Sequence, residues 1–134
     1  MALVSHISCL GKPLIAYNVH LESRGGDDLR CSQLAEIIAD AQQYTCDVPI
    51  VIAGDFNCDL SKQSTASVLS QTRLYNPFNG TPVPGATTNR SRPGRPRAID
   101  WILVRGRSNC MEPVLHDSVP GSDHYPLSLT LLNN

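Results

Sequence analysis

The chain has 134 residues, of which 41% are hydrophobic, and its formal net charge is -1 at pH 7. This length predicts one domain, and this apolar content is sufficient for a hydrophobic core. A charge so close to neutral excludes a general electrostatic attraction to nucleic acid, although a local basic patch could still bind phosphates. Function therefore has to be inferred from individual sites.

The cysteines and the N-terminal segment give no sign of secretion. The five cysteines form no CxxC pair, and no histidine stands at zinc-ligand spacing, so we expect reduced thiols. The first residues lack the basic start and the apolar run of a signal peptide, and no stretch approaches the roughly 18 apolar residues of a membrane span. We therefore expect this chain to remain in the cytoplasm; the location of any longer parent protein stays open.

In the first half of the sequence, predicted strands alternate with helices. The segment PLIAYNVHL (13–21) has the two-residue period of a strand, and a glycine-containing turn follows it. A helix is predicted next, ending before Pro49. One face of this helix carries Leu34, Ile37, Ile38 and Ala41. PIVIAG (49–54) is apolar on both faces, which indicates a central strand, and a second helix is predicted to reach about residue 72.

Strands dominate the second half. Residues 76–97 are too rich in proline, glycine and asparagine for regular structure, and a loop of this length is usually functional or disordered. AIDWILV (98–104) is an apolar strand interrupted only by Asp100, and a last strand is predicted at about 127–132. With no internal repeat and no linker, the pattern predicts one α/β or α+β layered sheet.

Six polar side chains stand at or near strand ends: His20, Asp55, Asn57, Asp100, Asp123 and His124. Side chains at i and i+2 of an extended chain point the same way about 6.6 Å apart, so Asp55 and Asn57 could hold one phosphate and its attacking water. Asp100 needs a partner because an unpaired buried carboxylate is unfavourable, and His124 is the natural candidate. Asp123 would then be available to a hard divalent cation.

Four segments resemble the motifs of the endonuclease/exonuclease/phosphatase (deoxyribonuclease I-like) superfamily of metal-dependent phosphodiesterases. They are NVHLES (18–23), GDFN (54–57), IDWILV (99–104) and SDHYPL (122–127). The resemblance covers nearly the whole chain. It implies the C-terminal half of a four-layer αββα sandwich, with a mixed, mostly antiparallel sheet flanked by helices, so residues 1–134 would be a single partial domain.

The resemblance also implies catalytic roles. Asp55 would orient or deprotonate the attacking water, and Asn57 would hydrogen-bond the scissile phosphate. Asp100 would orient His124, which would contact the phosphate as a charged stabiliser or proton donor. His20 would assist the leaving group.

The same resemblance implies a metal cofactor and exposes a gap in the chain. Asp123 would help to hold Mg²⁺ or Mn²⁺, which polarises phosphoryl oxygens. Family members carry an asparagine and a metal-binding glutamate upstream, and neither has a counterpart here. We therefore expect weak metal affinity and an exposed apolar sheet face, through which two copies could pair as a homodimer.

The sequence favours a divalent-metal-dependent phosphodiester hydrolase, with DNA or RNA as the leading substrate. Two alternatives stay open: a phosphatase or phospholipid-type phosphodiesterase of the same superfamily, and an inactive truncated fragment that only binds or self-associates. GDFN could also be a simple Asx turn, and Asp100 with His124 a structural pair. The basic stretch beside the site could follow a phosphodiester backbone or simply be a solvated loop; it comprises Arg90, Arg92, Arg95 and Arg97.

Overall fold

The computed structural model describes residues 1–9, 11–70, 72–78, 86–88, 95–106, 109–110 and 113–132. Within these ranges the chain forms two helices and eight strands. In chain order they are β1 (Ala2–Cys9), β2 (Lys12–His20), α1 (Asp27–Ala41), β3 (Ile50–Asp55), α2 (Gln63–Ser70), β4 (Asp100–Arg105), β5 (Asn109–Cys110), β6 (Val114–Leu115), β7 (Leu127–Ser128) and β8 (Leu131–Leu132).

The main sheet has four strands in the order β1-β2-β3-β4. The β1/β2 and β3/β4 pairs are antiparallel, whereas β2 and β3 are parallel and connected through α1. A parallel pair requires such a crossover, because its strands both start at the same end of the sheet. The predicted mixed α/β sheet is therefore confirmed, and β3 is central as its two apolar faces indicate.

One face of the sheet packs against the helices. Alternate residues of β2 (Ile15, Tyr17 and Val19) are buried there, as the two-residue period of a strand requires. The predicted apolar face of α1 meets them with Leu34, Ile38 and Ala41 buried and Ile37 partly buried. This side therefore contains the larger of the two apolar cores.

The opposite face is covered unevenly. Near β4, Phe78, Ile102 and Val104 form a second core, against which three leucines of residues 127–131 pack. Near β1 the face is open, since Leu3 is 64% exposed and Ile7 is 42% exposed. The exposed apolar face expected from the sequence is thus present, but only on this half of the sheet.

Several boundaries differ from the sequence predictions. The last predicted strand is split into β7 and β8, which pair with β6 and β5 respectively. In the 76–97 loop, residues 79–85 and 89–94 lie outside the described ranges. Neither helix formed by the described residues has the length and apolar character needed to cross a membrane.

Candidate active site

Three strand ends line up at one edge of the main sheet. The register of β2, β3 and β4 places His20 beside Asp55, and Asp55 beside Asp100. Nε2 of His20 lies 3.8 Å from Oδ2 of Asp55, and the imidazole is 69% exposed whereas the carboxylate is 19% exposed. Because hydrogen-bonded strands carry all three residues, a rigid part of the fold sets the spacing of this row.

The imidazole of His124 completes the row. Its Nδ1 lies 3.0 Å from Oδ1 and 2.9 Å from Oδ2 of Asp100. The hydroxyl of Thr87 donates to the same carboxylate, with Oγ1 2.6 Å from Oδ2. Burial raises the pKa of Asp100, while the hydrogen bonds from Thr87 and His124 act against that rise. The structure therefore brings Asp100 and His124 together as the sequence predicts.

The turn after β3 differs from the extended geometry assumed for Asp55 and Asn57. The strand ends at Asp55, and Asn57 has the left-handed φ of 51°. Its backbone N–H donates to Oδ1 of Asp55 at 2.7 Å, and its Nδ2 donates to the carbonyl of Leu21 at 3.0 Å. The assumption of two parallel side chains on a strand was wrong, because the Asx turn redirects the amide into the protein, where Asn57 is 2% exposed.

Arg97 adds a positive charge beside this turn. Its guanidinium donates to the carbonyl of Asn57 at 3.0 Å, although the residue is exposed. Of the other arginines in the basic stretch, Arg95 is exposed, while Arg90 and Arg92 lie outside the described residues. The guanidinium of Arg97 is therefore held against the backbone of the turn that follows Asp55.

A divalent cation fits the row of carboxylates. Asp55, Asp100 and His124 each offer one ligand atom, and these atoms all lie within 4.8 Å of one another. Carboxylate oxygens suit Mg²⁺ and Mn²⁺, and an imidazole is tolerated by Mn²⁺ better than by Mg²⁺. Asp123, the metal ligand proposed from the sequence, is exposed and does not belong to this cluster.

Sequence reasoning missed Thr87. It lies in the irregular segment before β4 and bonds Asp100 across 13 positions of sequence. No periodicity marks such a residue, and the pair of threonines at 87–88 inside a loop was the only signal available.

Carboxylates and imidazoles gathered where the strands of an α/β sheet end are the arrangement of a hydrolase that positions water and moves protons. The sequence comparison is consistent with this class. Residues 8–124 match the pattern of the Endonuclease/Exonuclease/phosphatase family, and the chain belongs to that family. No curated protein sequence matches the chain significantly.

Solved structures share the fold at low sequence identity. The chain superposes on D. rerio TDP2 complexed with single strand DNA product with a TM-score of 0.83 and 19% identity, covering 98% of this chain and 61% of that one. For a humanized D. rerio TDP2 the TM-score is 0.81 at 19% identity, covering 98% and 60% of the two chains. For a mannosyl-6-phosphatase of Bacteroides thetaiotaomicron it is 0.70 at 21% identity, covering 96% and 55%. The chain thus spans little more than half the length of these proteins.

Proposed function

We propose that this site belongs to a divalent-metal-dependent phosphodiesterase that hydrolyses its substrate by direct attack of water at phosphorus. The observation that supports this most strongly is the contact of His124 Nδ1 with both oxygens of Asp100, 3.0 and 2.9 Å away, next to Asp55. A carboxylate that accepts from one ring nitrogen fixes the tautomer and stabilises the imidazolium. The other nitrogen, Nε2, then carries the proton exchanged with the substrate.

The remaining roles divide along the row. Asp55 orients or deprotonates the attacking water, since it lies within the cluster and retains exposure to solvent. His20, at the exposed end, assists the leaving group. Asn57 is 2% exposed and donates one amide proton to Leu21, so its proposed contact with the phosphate uses the second proton and requires the turn to open when substrate binds.

Mg²⁺ or Mn²⁺ is the proposed cofactor. Asp55 and Asp100 are the carboxylates that would hold it, with His124 at their side and Asp123 as a further candidate ligand. The bound ion would polarise the phosphoryl oxygens and neutralise charge that develops on them. Metal binding is measurable without turnover, by titrating Mn²⁺ into the wild-type chain and into Asp55→Asn.

The direct test is phosphodiester hydrolysis by single variants. We expect the chain alone to turn over slowly in the presence of Mg²⁺, and Asp55→Ala and His124→Ala to abolish that activity. Asp117→Ala and His6→Ala are matched controls, because both residues are exposed and stand outside the proposed row. Robust turnover that survives both site substitutions would contradict the assignment.

Nucleic acid is the proposed substrate class, and a small phosphoester is the rival. A TDP2 solved with a single-stranded DNA product supports the former, and the mannosyl-6-phosphatase with the same fold supports the latter. Replacing Arg90, Arg92 and Arg95 together separates the two. A nuclease loses DNA cleavage and its steep salt dependence, whereas turnover of a small ester persists. Arg97 is kept in this variant, because loss of its bond to the carbonyl of Asn57 would perturb the site itself.

Self-association is proposed as well. Leu3 and Ile7 expose apolar surface on the edge strand β1, and segment ALVSHISC of that strand has no charge or proline to discourage pairing. Light scattering coupled to size-exclusion chromatography should detect a dimer that Leu3→Ser with Ile7→Ser converts to monomer. A monomer that binds Mn²⁺ and DNA but never turns over would instead favour an inactive fragment.

A further inference from the structure

The hydroxyl of Thr87 is surrounded by hydrogen-bonding groups of the segment that carries Asp100. Oγ1 lies 2.6 Å from Oδ2 of Asp100, 3.0 Å from the N–H nitrogen of Ile99 and 3.0 Å from that of Asp100. Thr87 is only 3% exposed. One buried hydroxyl therefore contacts both the carboxylate and the backbone that bears it.

The hydrogen-bonding capacity of this hydroxyl is fully used. A threonine hydroxyl has one proton and two lone pairs. The two N–H groups can only donate, so they occupy both lone pairs, and the single proton must point to an acceptor. The acceptors are Oδ2 of Asp100 at 2.6 Å and the carbonyl of Arg97 at 3.3 Å. The carboxylate is both nearer and charged, so it receives the proton.

The same segment is tied to the imidazole side of the site. The carbonyl of Thr87 accepts from the backbone N–H of Tyr125 at 2.7 Å, and Thr88 forms an isolated bridge with His124. Thr87 thus bonds to Asp100 through its side chain and to the residue after His124 through its backbone. It therefore connects the two segments of the chain that carry Asp100 and His124.

We propose that Thr87 is a positioning residue that locks the Asp100 carboxylate so that both of its oxygens face Nδ1 of His124. This inference rests on the proposed function for its catalytic meaning, but its structural content stands separately. Without the hydroxyl, the carboxylate can rotate about its terminal bond, and the imidazole loses the acceptor that holds the proton on Nδ1. His124 then exchanges between tautomers instead of presenting Nε2 in one state.

The tautomer of His124 is the readout. Nitrogen-15 NMR of the metal-free chain, recorded on the neutral imidazole, distinguishes a proton on Nδ1 from one on Nε2. We expect Nδ1–H in the wild type and a mixture in Thr87→Val. Thr87→Ser keeps the hydroxyl and should restore the wild-type spectrum.

Thr88→Val is the matched control. Thr88 is 1% exposed, and its hydroxyl accepts from the N–H of Arg97 at 2.7 Å, but it has no contact with Asp100 through that hydroxyl. The Thr88→Val substitution therefore removes an equally buried hydroxyl from the same segment. A tautomer shift of the same size in Thr88→Val and Thr87→Val, or no shift in Thr87→Val, would overturn the proposal.

Activity and folding are separated from this result. In the metal-loaded chain we expect Thr87→Val to lower kcat by roughly 10- to 100-fold with little change in KM, as for other residues that orient a reacting group. Suppose that Thr87→Val shifts the His124 tautomer as expected, but Asp55→Ala hydrolyses substrate as fast as the wild type. The proposed function would then be refuted, while the positioning of His124 by Thr87 would still be supported. If Thr87→Val does not fold, the wild-type hydroxyl proton decides: slow exchange with water supports the hydrogen bond, and exchange as fast as that of an exposed threonine refutes it.

Discussion

Replacement of Gly54 by alanine tests how the sheet brings the site together. A Cβ built on Gly54 would lie 2.0 Å from the carbonyl oxygen of Val19 and 3.0 Å from its carbonyl carbon and nitrogen. Gly54 also has a φ of +142°, a backbone conformation that residues with a side chain rarely adopt. Glycine is thus required twice, once for its backbone conformation and once for the close approach of β3 to β2.

The expected loss of stability follows from these two terms. The backbone conformation costs about 1–3 kcal/mol for a residue other than glycine. A carbon–oxygen contact relaxes to roughly 3.3 Å, so the two strands would have to separate by about 1.3 Å, and overpacking of this kind costs about 1–3 kcal/mol. The sum, about 2–6 kcal/mol, is a large part of the 5–15 kcal/mol that is typical of a domain.

Two other glycines separate the two terms. Gly121 has a φ of +107° but no heavy atom within 4 Å of its built Cβ, so Gly121→Ala reports the conformational term alone. Gly26 precedes α1 with a φ of -72° and open space, so Gly26→Ala should change stability by no more than about 1 kcal/mol. Urea unfolding followed by circular dichroism gives the free energy of unfolding of each variant.

The order of the three variants decides the matter. We expect Gly54→Ala to be the least stable and Gly121→Ala to lie between it and Gly26→Ala. The β2/β3 register also aligns His20 with Asp55, so the same strain should weaken the proposed hydrolysis in whatever fraction of Gly54→Ala stays folded. A Gly54→Ala chain as stable as Gly121→Ala would refute the close contact between the strands.

Three further predictions concern the turn and the buried titratable groups. Asn57→Gly should be about 1 kcal/mol more stable than Asn57→Ala in urea unfolding, because both lose the bond to Leu21 but only alanine is strained at a left-handed φ; equal stabilities would contradict the turn geometry. Burial raises the pKa of the Cys58 thiol to about 11, so peptide mass spectrometry of partially alkylated protein should find Cys46, which is exposed, modified well before Cys58; comparable rates would argue that Cys58 is accessible. Burial also raises the pKa of Tyr17. A group whose pKa is higher in the folded than in the unfolded state stabilises the fold below its unfolded pKa, and this stabilisation is lost as pH rises. The free energy of unfolding should therefore fall between about pH 9 and pH 11, the range set by the raised pKa of Cys58, and a flat profile would contradict both shifts.

Much of the fold was predictable because its signals are local. The two-residue period of β2, the apolar character of β3 and the single carboxylate in β4 each reflect burial, which the sequence records directly. The contact of Asp100 with His124 followed from the same physics, since a carboxylate at the edge of an apolar strand requires a donor. Such inferences need no knowledge of how the strands are ordered.

The parts that failed depend on tertiary geometry. The direction of the Asn57 side chain is set by a left-handed backbone conformation, and asparagine tolerates both that conformation and an extended one. The last strand divides because Leu127 and Leu131 pair with different partners, which periodicity cannot distinguish. Thr87 acts through a contact with a residue far along the chain, so no local pattern identifies it.

The row at the sheet edge also explains why a cation is expected there. Asp55 and Asp100 face each other across paired strands. Burial is the main cause that raises the pKa of Asp100, and the hydrogen bonds from Thr87 and His124 lower it. The negative charge of Asp55 raises it further. Two adjacent carboxylates repel, and the repulsion is relieved by a proton, an imidazolium or a metal ion. Positive charge between the two carboxylates would relieve this repulsion, and under the proposed function it would also neutralise charge on the phosphate.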